Sequence, residues 1–237
     1  NCGCPVDKVT KDGSGSGMLK TPELIGEVLS SMMATVRVPV TVKIRAGWDE
    51  KSLNAVEITR IVEQAGAKAI TIHGRTREQG YKGNANWDYI KACKAAAKDI
   101  LVIGNGDIFN AADALRMLAH TQCDAVLVAR GTMGQPWIAE DILRALDDQP
   151  PIVRSVADLR QHLLEHFDCI VRYQPERQSL LDMRRVGCWY LKRLTGVKDL
   201  RVLLNRSGST SEVFQHLERF SWEEIDMAKE LVFEGEQ

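Results

Sequence analysis

The chain has 237 residues, of which 44% are hydrophobic and 27% are charged. These proportions are those of an ordinary soluble globular protein, and the length allows one large domain or a domain with an appendage. The six cysteines have no staple-like spacing, and no secretion signal or membrane span is visible. We therefore predict a cytoplasmic protein with reduced thiols, and the composition argues against the secreted and membrane classes.

The net charge of −1 argues neither for nor against a nucleic-acid partner, but its distribution is uneven. Residues 172–206 carry nine Lys or Arg against three acidic residues, a balance of +6. Residues 207–237 carry two basic and eight acidic residues, a balance of −6. A basic stretch is thus followed by an acidic tail.

The chain opens on Asn1-Cys2-Gly3-Cys4-Pro5. Gly3 permits backbone torsions closed to other residues, and Pro5 keeps the residue before it extended, so the Cys4 thiol has a defined orientation. A Cys-x-Cys pair can be half of a zinc site, but the other cysteines form no second pair, and we predict no metal. The glycine-rich residues 11–17 that follow fit a mobile lid or an inert connector equally well.

The first 150 residues alternate short β-branched runs with longer helical patterns, which indicates parallel βα units. The strands are continuous apolar runs, as expected where both faces of a strand are buried. Helix starts are predicted at Thr21-Pro22, Ser52 and Asn110. The predicted strands are 38–45, 69–73, 100–104 and 125–129, and the predicted helices are 21–36, 52–65, 87–97 and 111–119.

Polar residues stand at the end of each predicted strand, where ligands bind in βα architectures. Each alone has an ordinary reading as an exposed charge, a packed histidine or a tight turn, but together they predict a polar mouth over an apolar barrel. The glycine turn at residues 104–107 and Arg130 at the next strand end are together suited to a phosphate. The strand-end residues are Lys43, Arg45, His73, Arg75, Asn105, Gly106, Asp107, Ala129 and Arg130.

A (β/α)₈ TIM barrel places its phosphate site after its last two strands. If the glycine turn and Arg130 follow the seventh and eighth strands, the chain begins at the end of strand four. We therefore expect a chain that lacks about three and a half N-terminal strands of the barrel.

A composition change at residues 147–151 predicts a domain boundary, with residues 1–148 in the barrel and residues 152–237 in a small all-α bundle. Basic and aromatic residues alternate along one predicted helix, which suits RNA contact. The other reading makes Trp189 and Tyr190 core residues beneath a solvated basic face. The predicted helices are 155–173, 178–194, 200–205, 209–217 and 222–232.

The opening segment, with Lys8-Val9 after it, resembles the N-x-G-C-P-x-x-K-V signature of the tRNA dihydrouridine synthases, with Cys2 where methionine is usual. The resemblance continues over nearly the whole chain. Further family motifs lie at residues 42–48, 72–76, 104–108 and 129–131, at Gly134-Gln135-Pro136-Trp137, at Met183-Arg184-Arg185 and at Tyr190-Leu191-Lys192. Arg185 stands where lysine is common. The proline-methionine flavin contact and the glutamine of the family's first strands have no counterpart.

This resemblance implies an FMN-binding TIM barrel followed by a tRNA-binding helical domain, and reduction of the C5–C6 double bond of tRNA uridines with NADPH as reductant. Lys43 and His73 would contact the flavin ring. Asn105, Gly106 and Asp107, with Ala129 and Arg130, would hold its ribityl-phosphate side. We predict substrate contacts from Asn1, Arg45, Arg75, Arg184, Arg185 and Lys192. The partner is then tRNA, with no membrane and no stable protein partner expected.

The reaction needs a hydride at C6 of uracil and a proton at C5. An ordinary thiol, with a pKa of about 8.5, is mostly protonated at neutral pH, so we predict Cys4 as the proton donor. Lys43 would balance negative charge near the reduced ring.

Two alternatives remain open from the sequence. One is a flavin-dependent dehydrogenase of a free pyrimidine or other small molecule, which needs no basic helical module. The other is a noncatalytic RNA-binding fragment, which needs no flavin. Salt-sensitive tRNA binding and bound flavin distinguish them from the synthase.

Overall fold

The computed structural model describes residues 1–228, and the chain divides into two compact units. The first contains Asn1–Gly131 with Ala145–Asp147, and the second contains Thr132–Arg144 with the described residues from Asp148 onward. Among these residues, no helix combines the length and the apolar character that crossing a membrane requires.

The first unit contains one parallel sheet with the strand order β1-β2-β3-β4. All four predicted strands are confirmed, although β1 begins three residues later than predicted, because Pro39 has no N–H to donate to a neighbouring strand. The strands are β1 (Thr41–Arg45), β2 (Ala69–His73), β3 (Leu101–Asn105) and β4 (Ala125–Leu127), and the helices are α1 (Asp7–Thr10), α2 (Pro22–Thr35), α3 (Ala55–Gln64), α4 (Asp88–Ala96) and α5 (Ala111–Thr121).

Helices pack on one face of this sheet. Ile44, Ile70 and Val102 point to that face and are completely buried. At Gly104 a Cβ atom would lie 2.5 Å from Sδ of Met117, so α5 approaches β3 closely only because this residue is glycine. The opposite face is more open, since Thr41 and Ala125 are exposed and Leu101 is 53% exposed. In the described part of the first unit, the sheet is thus covered by helices on one face.

The N-terminal residues extend the sheet. Cys2 pairs in parallel with Ile44, and its N–H donates to the carbonyl of Lys43 at 2.8 Å. Residues 1–3 therefore lie beside β1, and Cys4 follows at the same edge as the carboxyl end of β1.

The second half of the glycine-rich stretch after Cys4 is held by hydrogen bonds. Gly15–Lys20 forms a 3₁₀ helix, in which Gly15, Ser16 and Gly17 are buried. The Ser16 N–H and hydroxyl both donate to the carbonyl of Cys4, at 3.0 and 2.8 Å. This half of the stretch fits neither a mobile lid nor an inert connector, because it holds the Cys4 backbone in place.

The predicted helix starts have mixed outcomes. Asn110 caps α5 as predicted, and its side chain accepts from the Asp113 N–H at 2.9 Å. The predicted start at Ser52 is wrong, because α3 begins at Ala55 and the Ser52 hydroxyl donates to Asp49 in a turn. Helix α2 begins at Pro22 as predicted, without a capping bond from the Thr21 side chain.

The second unit is helical. Ser155 and Asp158 form a capping box at the start of its longest helix, since each side chain accepts from the other's backbone N–H. Its completely buried core includes Leu163, Phe167 and Tyr190. The helices are α7 (Val156–Tyr173), α8 (Glu176–Leu191), α9 (Lys198–Arg206) and α10 (Thr210–Arg219), preceded by α6 (Ile138–Leu146), whose last two residues belong to the first unit.

From residue 132 onward, two further helical segments differ from expectation. Helix α6 was not predicted, although its apolar residues recur at helical spacing. The predicted helix 222–232 is wrong over residues 222–228, and residues 229–232 lie outside the described residues. There Met227 instead pairs antiparallel with Leu194, and the Ala228 N–H donates to the carbonyl of Arg193 at 2.8 Å. Backbone bonds to a distant segment hold residues 226–228 outside a helix, which a local helical pattern does not reveal.

Candidate active site

A cavity of about 260 Å³ lies in the first unit, at the carboxyl ends of its strands. It brings together the predicted proton donor, all the predicted cofactor residues and two predicted substrate residues. From the predicted set it is lined by Asn1, Cys4, Lys43, Arg45, His73, Asn105, Gly106, Asp107, Ala129 and Arg130. Arg75 does not line it, and Arg184, Arg185 and Lys192 belong to the helical unit.

Strand register explains this convergence. Arg45, His73 and Asn105 occupy equivalent positions at the ends of three neighbouring strands, so their side chains project from the same face of the sheet. Lys43, two residues before Arg45, shares that face, and its Nζ donates to Oδ1 of Asn105 at 2.8 Å. Nδ2 of Asn105 donates to the carbonyl of Leu127 at 2.8 Å. A hydrogen-bonded chain therefore fixes the Asn105 amide across the cavity floor.

The electrostatics of the floor favour an anion. Burial, with help from the neighbouring Arg45, lowers the pKa of Lys43 to about 8, which leaves it mostly protonated at neutral pH. Burial, followed by the surrounding cations, lowers the pKa of His73 to about 2, so its imidazole is neutral. Asp107 is the one acidic side chain among the lining residues, against Lys43, Arg45 and Arg130.

The Asp107 carboxylate is occupied by protein groups. It accepts from both terminal nitrogens of Arg75 at 2.8 Å, from Nη2 of Arg130 at 3.0 Å and from the Ala85 N–H at 2.7 Å. The Arg75 side chain is only 2% exposed and also donates to the carbonyl of Gly83. Asp107 and Arg75 therefore form a brace behind the cavity, and this brace holds Arg130 at its wall.

Two glycines in the cavity wall lie in tightly packed positions. Gly106 has a φ of +125°, and a Cβ there would lie 2.7 Å from Cβ of Ala85. A Cβ at Gly131 would lie 2.1 Å from the carbonyl oxygen of Ile108. Side chains are excluded at both positions, so neighbouring segments approach each other closely there, and both glycines line the cavity.

Cys4 lines the cavity with a free, half-buried thiol. Its neighbour Cys2 is different, because it is buried against Met18 and burial raises the pKa of its thiol. Cys2 is therefore a small core residue, whereas Cys4 faces the space where a ligand would bind. Among residues 1–228, no three His, Cys, Asp or Glu side chains are arranged to hold a metal ion.

Sequence reasoning missed two aromatic residues of the site. Tyr81 and Phe109 line the cavity, and the Arg130 guanidinium lies 4.3 Å from the Tyr81 ring centroid and 5.4 Å from that of Phe109. Tyr81 is 47% exposed. The available signal was an aromatic residue between Gly80 and Gly83 in a loop that follows a strand end.

In the helical unit, α8 places Arg185 and Trp189 on one face, four residues apart, and Lys192, the helix-like residue directly after α8, follows three residues later. The Arg185 guanidinium lies 5.4 Å from the Trp189 ring centroid, and Lys192 is exposed. Arg184 points elsewhere, since its Nη2 donates to the carbonyl of Ser207 at 2.5 Å. Tyr190 is a core residue with no exposed surface, and Trp189 is partly buried against the same core, so the interpretation of both as core residues holds fully for Tyr190 and in part for Trp189.

Comparisons with known proteins agree with these motifs. Residues 1–226 match the family described as dihydrouridine synthase (Dus). The chain is 38% identical over 209 residues to a probable tRNA-dihydrouridine synthase of Rickettsia bellii, covering 86% of this chain and 63% of that protein. It is 38% identical over 213 residues to a probable tRNA-dihydrouridine synthase 1 of Synechocystis, covering 90% of this chain and 59% of that protein. It is 36% identical over 223 residues to tRNA-dihydrouridine synthase B of Proteus vulgaris, covering 93% of this chain and 68% of that protein. The chain thus spans about three fifths to two thirds of these relatives, and it belongs to the dihydrouridine synthase family.

Proposed function

We propose that this chain carries the flavin and substrate site of a tRNA-dihydrouridine synthase, which reduces the C5–C6 double bond of uridines in tRNA with FMN and NADPH. The observation that carries the proposal is the placement of the Cys4 thiol in a cavity whose floor and wall are cationic. The names of the relatives agree with this activity.

The fold proposal follows from the sheet. Four parallel strands in sequential order, with helices on one face, are what half of a (β/α)₈ barrel would show. The exposed Leu101 and Ala125 then lie on the face that the remaining strands would enclose. We assign residues 1–148 to this barrel, although Thr132–Arg144 belong to the second compact unit, and residues 152–237 to the tRNA-binding domain, in a cytoplasmic enzyme.

The residues present fit FMN. The glycine turn at Gly106 and the braced Arg130 suit a phosphate, because they offer backbone and a fixed guanidinium where side chains are sterically excluded. Asn105, Asp107 and Ala129 line the same cavity and would face the ribityl-phosphate side. Lys43 and the neutral His73 would hold the ring system. When bound, FMN supplies the hydride that reaches C6 of uracil.

The chain's own residues complete the reaction. Cys4 transfers its Sγ proton to C5, and the thiolate left behind recovers a proton from solvent. Lys43 would supply a positive charge that balances negative charge on the ring system. Asn1, whose Oδ1 accepts from the Gly3 N–H at 3.0 Å, lies in the same cavity and contacts the uracil.

The helical unit supplies RNA affinity in this proposal. Removing a uridine from its stack costs a few kcal/mol, which contacts elsewhere on the RNA must offset. The exposed Arg185 and Lys192 suit phosphates, and Trp189 between them adds an aromatic surface. Arg184 already donates one hydrogen bond to the carbonyl of Ser207. It would therefore support this face, and only its remaining donors would be available to RNA.

The first experiment titrates FMN into the purified 237-residue chain and follows flavin fluorescence, with Arg130→Ala as the comparison. We expect saturable binding that weakens at least about tenfold in the variant, since a charge-assisted phosphate contact is lost. Absence of binding to the unmodified chain would contradict the flavin site and favour the RNA-binding alternative.

The second experiment measures dihydrouridine in tRNA after incubation with NADPH. We expect Cys4→Ala to lose most turnover while flavin affinity is unchanged. Loss of flavin together with activity would contradict the proton-donor role of Cys4. Turnover of free uracil in place of tRNA would favour the small-molecule dehydrogenase.

A further inference from the structure

Arg45 is a buried cation without a carboxylate partner. Its side chain lies at the end of β1, the residue is 3% exposed, and no acidic side chain in residues 1–228 forms an ion pair with it. Lys43 and Arg75 add two more positive charges nearby. Burying an unpaired guanidinium costs free energy unless its donors are satisfied, so the hydrogen bonds of Arg45 must offset that cost.

The guanidinium bonds to backbone on two different segments. Nε donates to the carbonyl of Gly3 at 3.1 Å. Nη1 donates to the carbonyls of Thr76 at 2.8 Å and Gly80 at 3.1 Å. Gly3 immediately precedes Cys4, in what we name the cysteine segment (residues 1–5). Thr76 and Gly80 belong to the Tyr81 loop (residues 76–86), which contributes the Tyr81 ring to the cavity lining.

The planar fork of Arg45 therefore fixes two walls of one cavity at once. A lysine provides one point of donation and cannot reproduce three bonds in this geometry. The Tyr81 loop and the residues after the cysteine segment have a second link, an ion pair between Arg77 and Asp7, but that pair lies at the surface and Asp7 is 77% exposed. An exposed pair holds such segments weakly.

We propose that Arg45 is a positioning residue, which sets the Cys4 thiol and the Tyr81 ring relative to each other by holding both of their segments. The inference rests on the proposed function for its catalytic consequence, because a proton donor must meet C5 at a defined distance. Misplacement by about 1 Å can reduce turnover about a hundredfold. The structural consequence, joint rigidity of the two segments, is independent of any activity.

Hydrogen–deuterium exchange of the full chain tests the structural part. Peptides spanning residues 1–17 report on the cysteine segment, because the Ser16 N–H bonds to the Cys4 carbonyl, and peptides spanning residues 76–86 report on the Tyr81 loop. We expect Arg45→Met to accelerate exchange at least about threefold in both regions and to leave α5 unchanged, with Arg45→Lys intermediate. The matched control, Arg77→Lys, should leave both regions within about twofold of the unmodified chain.

Three results would overturn the inference. They are acceleration in only one region, acceleration throughout the sheet, and an equal effect in the Arg77→Lys control. If Arg45→Met does not fold, the Arg45→Lys comparison decides alone, since it preserves the charge and removes the fork.

Steady-state kinetics with tRNA test the catalytic part. We expect Arg45→Met to lower kcat about tenfold to a hundredfold with KM for tRNA and flavin affinity within about twofold, and Arg45→Lys to restore part of kcat. A rise in KM with unchanged kcat would mean that Arg45 binds substrate without positioning Cys4. If the unmodified chain has no turnover, the proposed function fails and the exchange experiment still decides the structural part.

Discussion

Asp107 offers a quantitative test of the brace behind the cavity. Asp107→Ala removes the only carboxylate that pairs with Arg75 among the described residues, and the Arg75 side chain is 2% exposed. Leaving such a guanidinium unpaired costs about 3–5 kcal/mol. The φ of +54° at Asp107 adds about 1 kcal/mol, because alanine tolerates the left-handed region less well than aspartate. Asp107→Asn keeps an acceptor and tolerates this φ, so its expected cost is smaller, about 1–3 kcal/mol.

Urea unfolding followed by far-UV circular dichroism measures these differences, with a separate transition allowed for each unit. Asp88→Ala is the matched control, since its carboxylate is 70% exposed and pairs with the exposed His120. Its expected cost is below about 1 kcal/mol. A loss of less than about 1 kcal/mol in Asp107→Ala would refute the view that Asp107 stabilises the buried Arg75.

Three further predictions concern the cavity and the helical face. Gly106→Ala should destabilise the first unit by about 1–3 kcal/mol in thermal unfolding, since its Cβ would lie 2.7 Å from Ala85 Cβ. Gly80 is the control: its φ is +60° and a Cβ there would meet nothing within 4 Å, so Gly80→Ala should cost only about 1 kcal/mol. For Lys43, the folded pKa of about 8 lies below the ordinary 10.5, so the unfolded chain binds more protons between these values and stability should rise with pH there. Lys43→Met should lack this rise when urea midpoints at pH 8 and pH 10 are compared. Arg185→Gln should weaken tRNA binding and reduce the slope of log affinity against log salt by about one, whereas an unchanged slope would place Arg185 outside the RNA interface.

The fold was predictable where the signal is local. Continuous apolar runs identified all four strands, because strands buried between layers are apolar throughout. Helix boundaries were predicted less accurately. Ser52 bonds to a nearby carboxylate in a turn, and the helix begins only at Ala55. Residues 222–228 carry a helical pattern but form backbone bonds with residues 193–195, a long-range contact that no local window contains.

The sequence was sufficient to predict which strand-end residues line the site. Parallel strands align their carboxyl ends, so Lys43, His73, Asn105 and Arg130 could be assigned to one face from their strand-end positions alone. Tyr81 was not predicted as a site residue because it lies in a loop, where no periodicity indicates which way a side chain points.

The sequence by itself determined that a thiol between glycine and proline and a set of strand-end cations would meet at one cavity, because covalent spacing and strand register are local properties. Only the tertiary structure decided how each cation is used. Arg75 pairs with Asp107, Arg45 donates to three backbone carbonyls, and Lys43 donates to Asn105. These partners are distant in sequence, and the packing of the loops determines which of them are within reach. Spacing along a chain brings charges to one edge, whereas burial and the available acceptors determine which of them remain free to meet a ligand.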